Sequence, residues 1–381
     1  MQKVLHISKY YYPFIGGIEQ ATRDMVDVLK DNYEQKIICF NHEKGNKVDS
    51  VDGVEVRRVK CQCKVASQSI SLGYKKVLKK IMKEFSPDVV IFHYPNPFVA
   101  HYLMKYLKHK NFKLVLYWHL DIYKQKLLSK LFKKQNKKLI KYADKIICGT
   151  QRYANGSPWL NQCMDKVEII PYRVDTTKFE PKETDMPKIQ KIKDTYKDKI
   201  ICFAFGRHVP YKGIGCLVEA SKYLDDKYVI LIGGSGELTE SLKKQSANDY
   251  KVIFLGRLSD DDLRAYINAC DIFCFPSITK NESFGIGLAE GLSCGKPAVT
   301  FTIDGSGVNY VNLNYETGLE VENSNIEAYA EAIKILGENE ELRNKYSKAA
   351  KQRVKDCFSM EVHKDLMLWL IGDLVKEDNN K

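Results

Sequence analysis

Short apolar runs alternate with amphipathic stretches along this whole chain, and that alternation narrows its fold more than any other feature. In the first half the runs are VLHI (4–7), KIICF (36–40), VEVRRV (54–59), DVVIFH (88–93), KLVLYWH (113–119) and KIICGT (145–150). Helix-periodic segments lie between them: IEQATRDMVDVLK, LGYKKVLKKIMKEF and QKLLSKLFKKQNKKLIKYA. The second half repeats the theme with IICFAFG (200–206), YVILIGG (228–234), KVIFLG (251–256), IFCFP (272–276) and PAVTF (297–301). Its helical segments are IGCLVEASKYL, LTESLKKQSA, DDDLRAYINAC, IGLAEGLSC and NIEAYAEAIKILGEN. Strands of this length separated by helices predict parallel sheets wrapped on both faces. At about 100–200 residues per domain, 381 residues predict two such domains. The polar, proline-bearing stretch 169–190 is the expected joint, giving domains over 1–172 and 173–359. Two doubly wound α/β domains predict a cleft between the carboxyl ends of two sheets, where ligands bind.

Composition removes several classes. A hydrophobic content of 44% excludes a disordered chain, and no apolar run reaches the ~18–20 residues of a membrane-spanning helix. The first residues lack signal-peptide architecture, so a cytoplasmic location is expected. Eleven cysteines, an odd number with no CxxC pair, read as buried thiols in a reducing compartment rather than disulfides or a zinc site. Charge is uneven. Residues 1–172 hold 31 Lys and Arg against 15 Asp and Glu, whereas the rest of the chain is slightly acidic. Between Lys105 and Lys145 thirteen lysines face only Asp121 and Asp144. Such a surface suits an anionic partner: nucleic acid, an anionic bilayer or a phosphorylated substrate.

The chemistry concentrates in FPSITKNESFGIGLAEGLSCGKPAVTF (275–301). A strand ends at Phe275–Pro276 and a short helix is expected to open near Phe284, stopped by Gly295 and Pro297. The free amides of Ser283, Phe284, Gly285 and Ile286 would then form a phosphate-binding helix N-terminus. Gly285 and Gly287 leave a ligand room. Glu282 and Glu290 are eight residues apart, up to ~12 Å at the helical rise. That spacing suits two contacts along an extended ligand better than the ~5–5.5 Å carboxylate pair of a retaining glycosidase; two surface acids are the plain alternative. In FAFGRHVPYKGIGCLVEA (203–220), Arg207 and Lys212 follow a strand and are placed to clamp a pyrophosphate, unless they are simply solvated loop cations. At the N-terminus Gly16 and Gly17 sit between the first strand and helix, where a backbone can approach a ligand closely. His119 ends another strand in LVLYWHLDIY, with Asp121 two residues on; a lone histidine in such a place is often structural.

Together YYPFIGGIEQ, YWHLDIY, GRHVPYKG, VIFLGRLSDDDLRAYINACDIFCFPS and NESFGIGLAEGLSCGKPAV resemble glycosyltransferase family 4, retaining transferases of the GT-B fold. The resemblance runs in order over nearly the whole chain, and its E-x7-E and R-x4-K spacings are specific. It implies a nucleotide-sugar donor held mainly by the second domain. Arg207 and Lys212 would hold the pyrophosphate, Glu290 the ribose hydroxyls and Glu282 the donor sugar. The backbone around Arg257 and Leu258 would meet the base. Gly16 and Gly17 would approach the donor phosphates, and His119 would sit beside the transferring sugar. YYP-x-x-GGIEQ, HYPNPF (93–98) and WHLDIYKQK resemble bacterial O-antigen and capsule mannosyl- or rhamnosyltransferases, which favours GDP-mannose, with a UDP-sugar as the alternative. Related folds return a C-terminal helix to the first domain, and 360–381 carries an amphipathic pattern. The chain departs from the family at the joint, where Pro171, Tyr172, Arg173, Val174 and Asp175 replace a common Pro-Asn-Gly-Val-Asp.

The family mechanism then needs no metal. Positive ends aimed at the leaving diphosphate stabilise its charge, and Asp260–Asp262, the one D-x-D, reads as capping at a helix start. Retention would proceed by front-face attack without a side-chain nucleophile. The lysine-rich helices, with apolar faces formed by Val77, Leu78, Ile81, Met82 and Phe85 and by Leu127, Leu128, Leu131, Leu139 and Ile140, would rest on an anionic membrane. There they would meet a polyprenyl-diphosphate-linked or other glycan acceptor. The alternative is that these stripes pack on the sheet. A basic nucleic-acid- or membrane-binding protein without transferase activity is the rival class; no nucleic-acid module is present.

Overall fold

The computed structural model describes residues 1–65, 68–122 and 126–379, and for Val65, 126–131 and 377–379 the backbone alone. The chain divides into two compact units, Met1–Pro171 with His363–Lys381, and Tyr172–Val362.

The first unit holds strands β1 (Gln2–Ile7), β2 (Tyr33–Asn41), β3 (Lys47–Val51), β4 (Val54–Lys60), β5 (Cys63–Val65), β6 (Gln68–Ile70), β7 (Val89–Tyr94), β8 (Lys113–Trp118), β9 (Lys145–Cys148) and β10 (Val167–Ile169). Eight of them form one sheet in the order β10-β9-β8-β7-β1-β2-β4-β3, while β5 and β6 form a separate hairpin. Every pair in the large sheet is parallel except β3 with β4. The apolar runs explain this: β7 is buried along its whole length, as a strand covered by helices on both faces must be. The sequence reading passes over β3 and β10. The first is polar and half exposed, the second only three residues long, so neither carries an apolar run. Buried Arg58 on β4 bonds Asp49 on β3 at 3.1 Å and the carbonyls of Tyr11 at 3.2 Å and Tyr12 at 2.6 Å, tying the sheet edge to the segment that leads to Gly16. In the C-terminal helix Met360–Asn379, Met367, Leu370, Ile371 and Leu374 are buried, and His363 Nδ1 donates to the Pro171 carbonyl at 2.8 Å.

The lysine-rich helices correct one expectation. In helix Tyr74–Phe85, Leu78, Ile81 and Phe85 are buried in the core, and Val77 and Met82 pack half-buried against it. Lys75, Lys76, Lys79, Lys80 and Lys83 point to solvent. In the helix Lys126–Tyr142, Leu139 is buried and Ile140 packs against the core; the side chains of Leu127, Leu128 and Leu131 lie outside the described residues. The apolar stripe of Tyr74–Phe85 covers the sheet and is not available to a bilayer, because a parallel sheet needs that cover. No helix among the described residues is long and apolar enough to cross a membrane.

The second unit has a six-stranded, all-parallel sheet of β11 (Ile200–Phe205), β12 (Tyr228–Gly233), β13 (Val252–Gly256), β14 (Ile272–Phe275), β15 (Ala298–Phe301) and β16 (Gly318–Val321), in the order β13-β12-β11-β14-β15-β16. The chain builds outward from β11 to β13, then returns to lay β14 on the other side of β11. Ligands bind outside the strand ends at such a reversal. Its helices start on side-chain caps where the sequence offers them: Ser259 for Asp260–Ala269, Asn325 for Ile326–Glu338 and Asn339 for Glu340–Phe358. Each unit is therefore a doubly wound, Rossmann-like α/β fold.

Arg264 anchors the start of the second unit. Its guanidinium takes both oxygens of Asp185, at 2.5 and 2.8 Å, with the two side chains 4 and 5% exposed. These bonds hold the Asp185 carboxyl down at about 2. A depressed carboxyl contributes stability above its unfolded pKa and loses it as pH falls through the folded value. Arg264→Leu leaves a buried carboxylate unpaired and should cost roughly 3 kcal/mol. Denaturant melts should show that loss at pH 7 and acid unfolding displaced to higher pH.

Candidate functional site

Because β11, β12, β13 and β14 are parallel neighbours, the loops that follow them share one edge of the sheet. Four residues singled out in the sequence meet or approach one another there. Lys212 Nζ lies 2.5 Å from Glu282 Oε2, with the two side chains 17 and 13% exposed. Ser277 Oγ donates to the same oxygen at 3.3 Å. Arg207, exposed, donates to the Tyr211 hydroxyl at 3.1 Å and has no carboxylate partner among the described residues. Glu290 sits in a crowded recess while part of its surface stays open to solvent. Burial pushes its carboxyl up to about 7, opposed by the charges of Lys178 and Lys212 and assisted by that of Asp260.

Close backbone packing brings these loops together. Gly213 follows Lys212 with φ +62°, and a Cβ there would lie 1.9 Å from the Pro276 carbonyl oxygen. Only glycine lets the loop after β11 press against the one after β14. The Ile278 amide then donates to the Tyr211 carbonyl at 3.0 Å. On the far side, Ser306 Oγ donates to the Glu282 carbonyl, the Gly307 amide to Ser283 O at 2.9 Å, and Asn323 Nδ2 to Ile278 O at 3.0 Å. Glu282 is thereby held from both sides. The sequence reading missed Ser277, which lies inside the stretch 275–301 without being singled out there, and Ser306 and Lys178, which carry no motif; all three matter through their contacts.

The helix expected from the sequence to bind phosphate starts at Ile286 rather than near Phe284. Phe284 is a core residue, edge-on to Tyr172 at 5.1 Å and to Phe358 at 5.4 Å, so it holds the loop instead of opening a helix. Gly285 turns the chain with φ +94°, and the Leu288 and Ala289 amides both return to its carbonyl, at 2.9 and 3.0 Å. Ser283 and Phe284 belong to the loop, and the helix presents the amides of Ile286 and Gly287, both in its first turn and without an intrahelical acceptor. Tyr172, the departure at the joint, thus has a packing role. Arg257, exposed, and Leu258 follow β13 at the same edge, with Leu258 lying against Gly233. The D-x-D carboxylates are engaged: Asp260 with Lys178 at 3.4 Å, Asp261 with Arg264 at 2.7 Å, and Asp262 with Lys188 and the Ser259 cap.

Gly16, Gly17 and His119 lie in the first unit. Gly16 caps the helix Gly17–Leu29, but the recess over it is filled: a Cβ would lie 2.3 Å from Oε2 of Glu19, whose carboxyl receives the amides of Glu19 and Tyr10. Nothing lies within 4 Å of a Cβ on Gly17, so of the two glycines only Gly17 faces open space. His119 is 3% exposed and stacks on His93, which stacks on His6, with centroids 5.4 and 5.9 Å apart. Burial holds all three imidazoles neutral, His119 down to about 3. The Thr22 hydroxyl donates to Ile18 O, so toward His93 Nδ1, 3.2 Å away, it accepts. That assigns the proton to His93 Nδ1 and makes His119 Nε2, 3.1 Å from it, an acceptor. Asp121 serves the core, accepting from Trp118 Nε1 at 2.9 Å and Ser157 Oγ at 3.0 Å. Among the described residues no three His, Cys, Asp or Glu side chains are grouped to hold a metal ion.

Comparison with known proteins bears on the family and the fold. Residues 15–178 match the family described as Glycosyltransferase Family 4, and residues 185–353 match Glycosyl transferases group 1. The chain is 29% identical to the D-rhamnosyltransferase WbpZ of Pseudomonas aeruginosa, over 94% of this chain and 92% of that protein. It is 27% identical to the O-antigen chain mannosyltransferase C of Escherichia coli, over 94 and 95%. Among solved structures, sucrose-phosphate synthase from Thermosynechococcus elongatus superposes with a TM-score of 0.81 at 17% identity, covering 99% of this chain and all of that one. With family matches over both halves and the GT-B architecture, the chain belongs to the family 4 glycosyltransferases, enzymes of the group that includes bacterial O-antigen transferases.

Proposed function

We propose that the protein is a retaining, metal-independent hexosyltransferase that moves a sugar, with mannose from GDP-mannose favoured, onto a glycan acceptor in cell-surface polysaccharide synthesis. The observation that carries the reading is the grouping of Arg207, Lys212, Glu282 and Glu290 at the carboxyl edge of β11 and β14. Arg207 and Lys212 are the cations for the diphosphate, joined by the amides of Ile286 and Gly287. Glu282 takes sugar hydroxyls and Glu290 the ribose. Arg257 and Leu258, farther along the same edge, are the contacts for the base. Roles for Gly16, Gly17 and His119 at the donor phosphates and sugar rest on the family resemblance alone.

The chemistry follows the charge. Breaking the sugar–phosphate bond leaves negative charge on the diphosphate and oxocarbenium character on the sugar. Fixed positive ends aimed at the first act without reorganising, each worth on the order of 3–4 kcal/mol. In this mechanism the departing phosphate takes the acceptor proton, and no side chain forms a bond to the sugar. The engagement of Asp260, Asp261 and Asp262 by lysine, arginine and a cap supports a reaction without a metal at that motif. GDP-mannose is favoured because the O-antigen relative is named a mannosyltransferase; a UDP-sugar is the second reading. A lipid-diphosphate-linked acceptor would bring the protein to the inner face of the membrane. With the apolar stripe of helix Tyr74–Phe85 buried, that helix would contribute its exposed lysines, each worth about 1 kcal/mol near an anionic surface.

Three measurements test the proposal. Calorimetric titration with GDP, UDP and ADP in EDTA should show one nucleotide binding, about 10–100-fold more weakly in Arg207→Ala; no binding of any would remove the donor site. The Glu290 carboxyl, raised in the folded chain, contributes stability at low pH that is lost as pH rises through about 7. Glu290→Gln should therefore flatten the fall in melting temperature between pH 5 and 8 and gain on the order of 1–2 kcal/mol over wild type at pH 8, after allowance for solvent screening. Anionic vesicles should cosediment the protein at low ionic strength and release it by roughly 0.5 M salt; no binding at low salt ends the membrane proposal.

A further inference from the structure

We infer that Glu282 is a specificity residue that withholds Lys212 from phosphate until a sugar is present, so that the site favours a nucleotide sugar over a nucleoside diphosphate. The inference rests on the donor-site reading above.

The two cations of this site are in different states. Arg207 is exposed and, among the described residues, bonded only to a neutral hydroxyl, so it can take a phosphate at once. Lys212 is already satisfied: its ammonium is 2.5 Å from Glu282, largely out of solvent, and lies 4.9 Å from the centre of the Phe275 ring. Glu282 cannot easily withdraw. Its carbonyl is bonded by Ser306, the next residue's carbonyl by Gly307, and its Oε2 by Ser277. A diphosphate arriving alone gains Arg207 but must draw Lys212 away from a little-exposed carboxylate. Leaving that carboxylate unpaired is costly, and it repels the incoming charge. A nucleotide sugar brings hydroxyl donors on the same molecule. Once they bond to Glu282, Lys212 can turn to the phosphates with no charge left unpaired. After transfer the hydroxyls leave with the sugar, Glu282 recaptures Lys212, and the diphosphate is released.

The test compares GDP with GDP-mannose and UDP with UDP-glucose, without acceptor, by calorimetry on wild type, Glu282→Gln, Lys212→Ala and the double variant. Glu282→Gln should bind the nucleoside diphosphate about tenfold tighter and lose most of the preference for the nucleotide sugar. In the Lys212→Ala background the same substitution should give a clearly smaller gain, the part that comes from removing an unpaired negative charge. Unchanged or weaker diphosphate binding in Glu282→Gln overturns the inference. So does a gain equally large without Lys212, since that is only the removal of a nearby negative charge. Glu282→Ala stands in should the glutamine variant not fold. If wild type binds none of the four compounds, the donor-site reading falls and this inference with it. If wild type binds, loses binding in Arg207→Ala and is indifferent to Glu282→Gln, this inference alone falls.

Discussion

The parallel pairing of β11 with β14 is the constraint on which the second unit's site depends. Cys202 lies opposite Ile272 and Phe203 opposite Phe273, so residues some seventy positions apart in sequence end their strands at one edge. Arg207 and Lys212 leave one strand and Glu282 the other. The contact of Gly213 with the Pro276 carbonyl then fixes the separation of the loops, because no side chain intervenes.

Around that pairing the unit builds a site whose charges are balanced before any ligand arrives. Lys212 and Glu282 neutralise each other, Glu290 tends to hold its proton, and Arg207 stands exposed. Polar groups placed this way cost little to keep in a folded chain, since few charges are left without partners. The same balance shapes the proposed chemistry, in which a ligand must supply both acceptors for the cations and donors for the carboxylates. A nucleotide sugar carries both.

The first unit shows the opposite use of polar residues. His6, His93 and His119 form a stacked row, neutral and inside the fold, with Thr22 and Gln35 as partners. Glu19 folds over Gly16 and is covered there. These residues carry their hydrogen bonds within the protein, and Arg58 fastens the segment before Gly16 by its carbonyls. Lysines take the outside of helix Tyr74–Phe85 because its inner face is needed by the sheet.

The sequence by itself determined the alternation of strand and helix and the two sheets, because burial on two faces writes a continuous apolar run into each central strand, and it marked the motif residues of the candidate site. Edge strands β3, β10 and β16 left no such run and were not legible. Tertiary structure alone decided which motif residues face one another. It joined Lys212 to Glu282, moved the helix start from Phe284 to Ile286 by burying the phenyl ring, filled the space over Gly16 with Glu19, and buried His119 against His93. The reason is physical: periodicity reports which side of an element is buried, while partners across strands depend on register, loop packing and the competition of polar groups for one another.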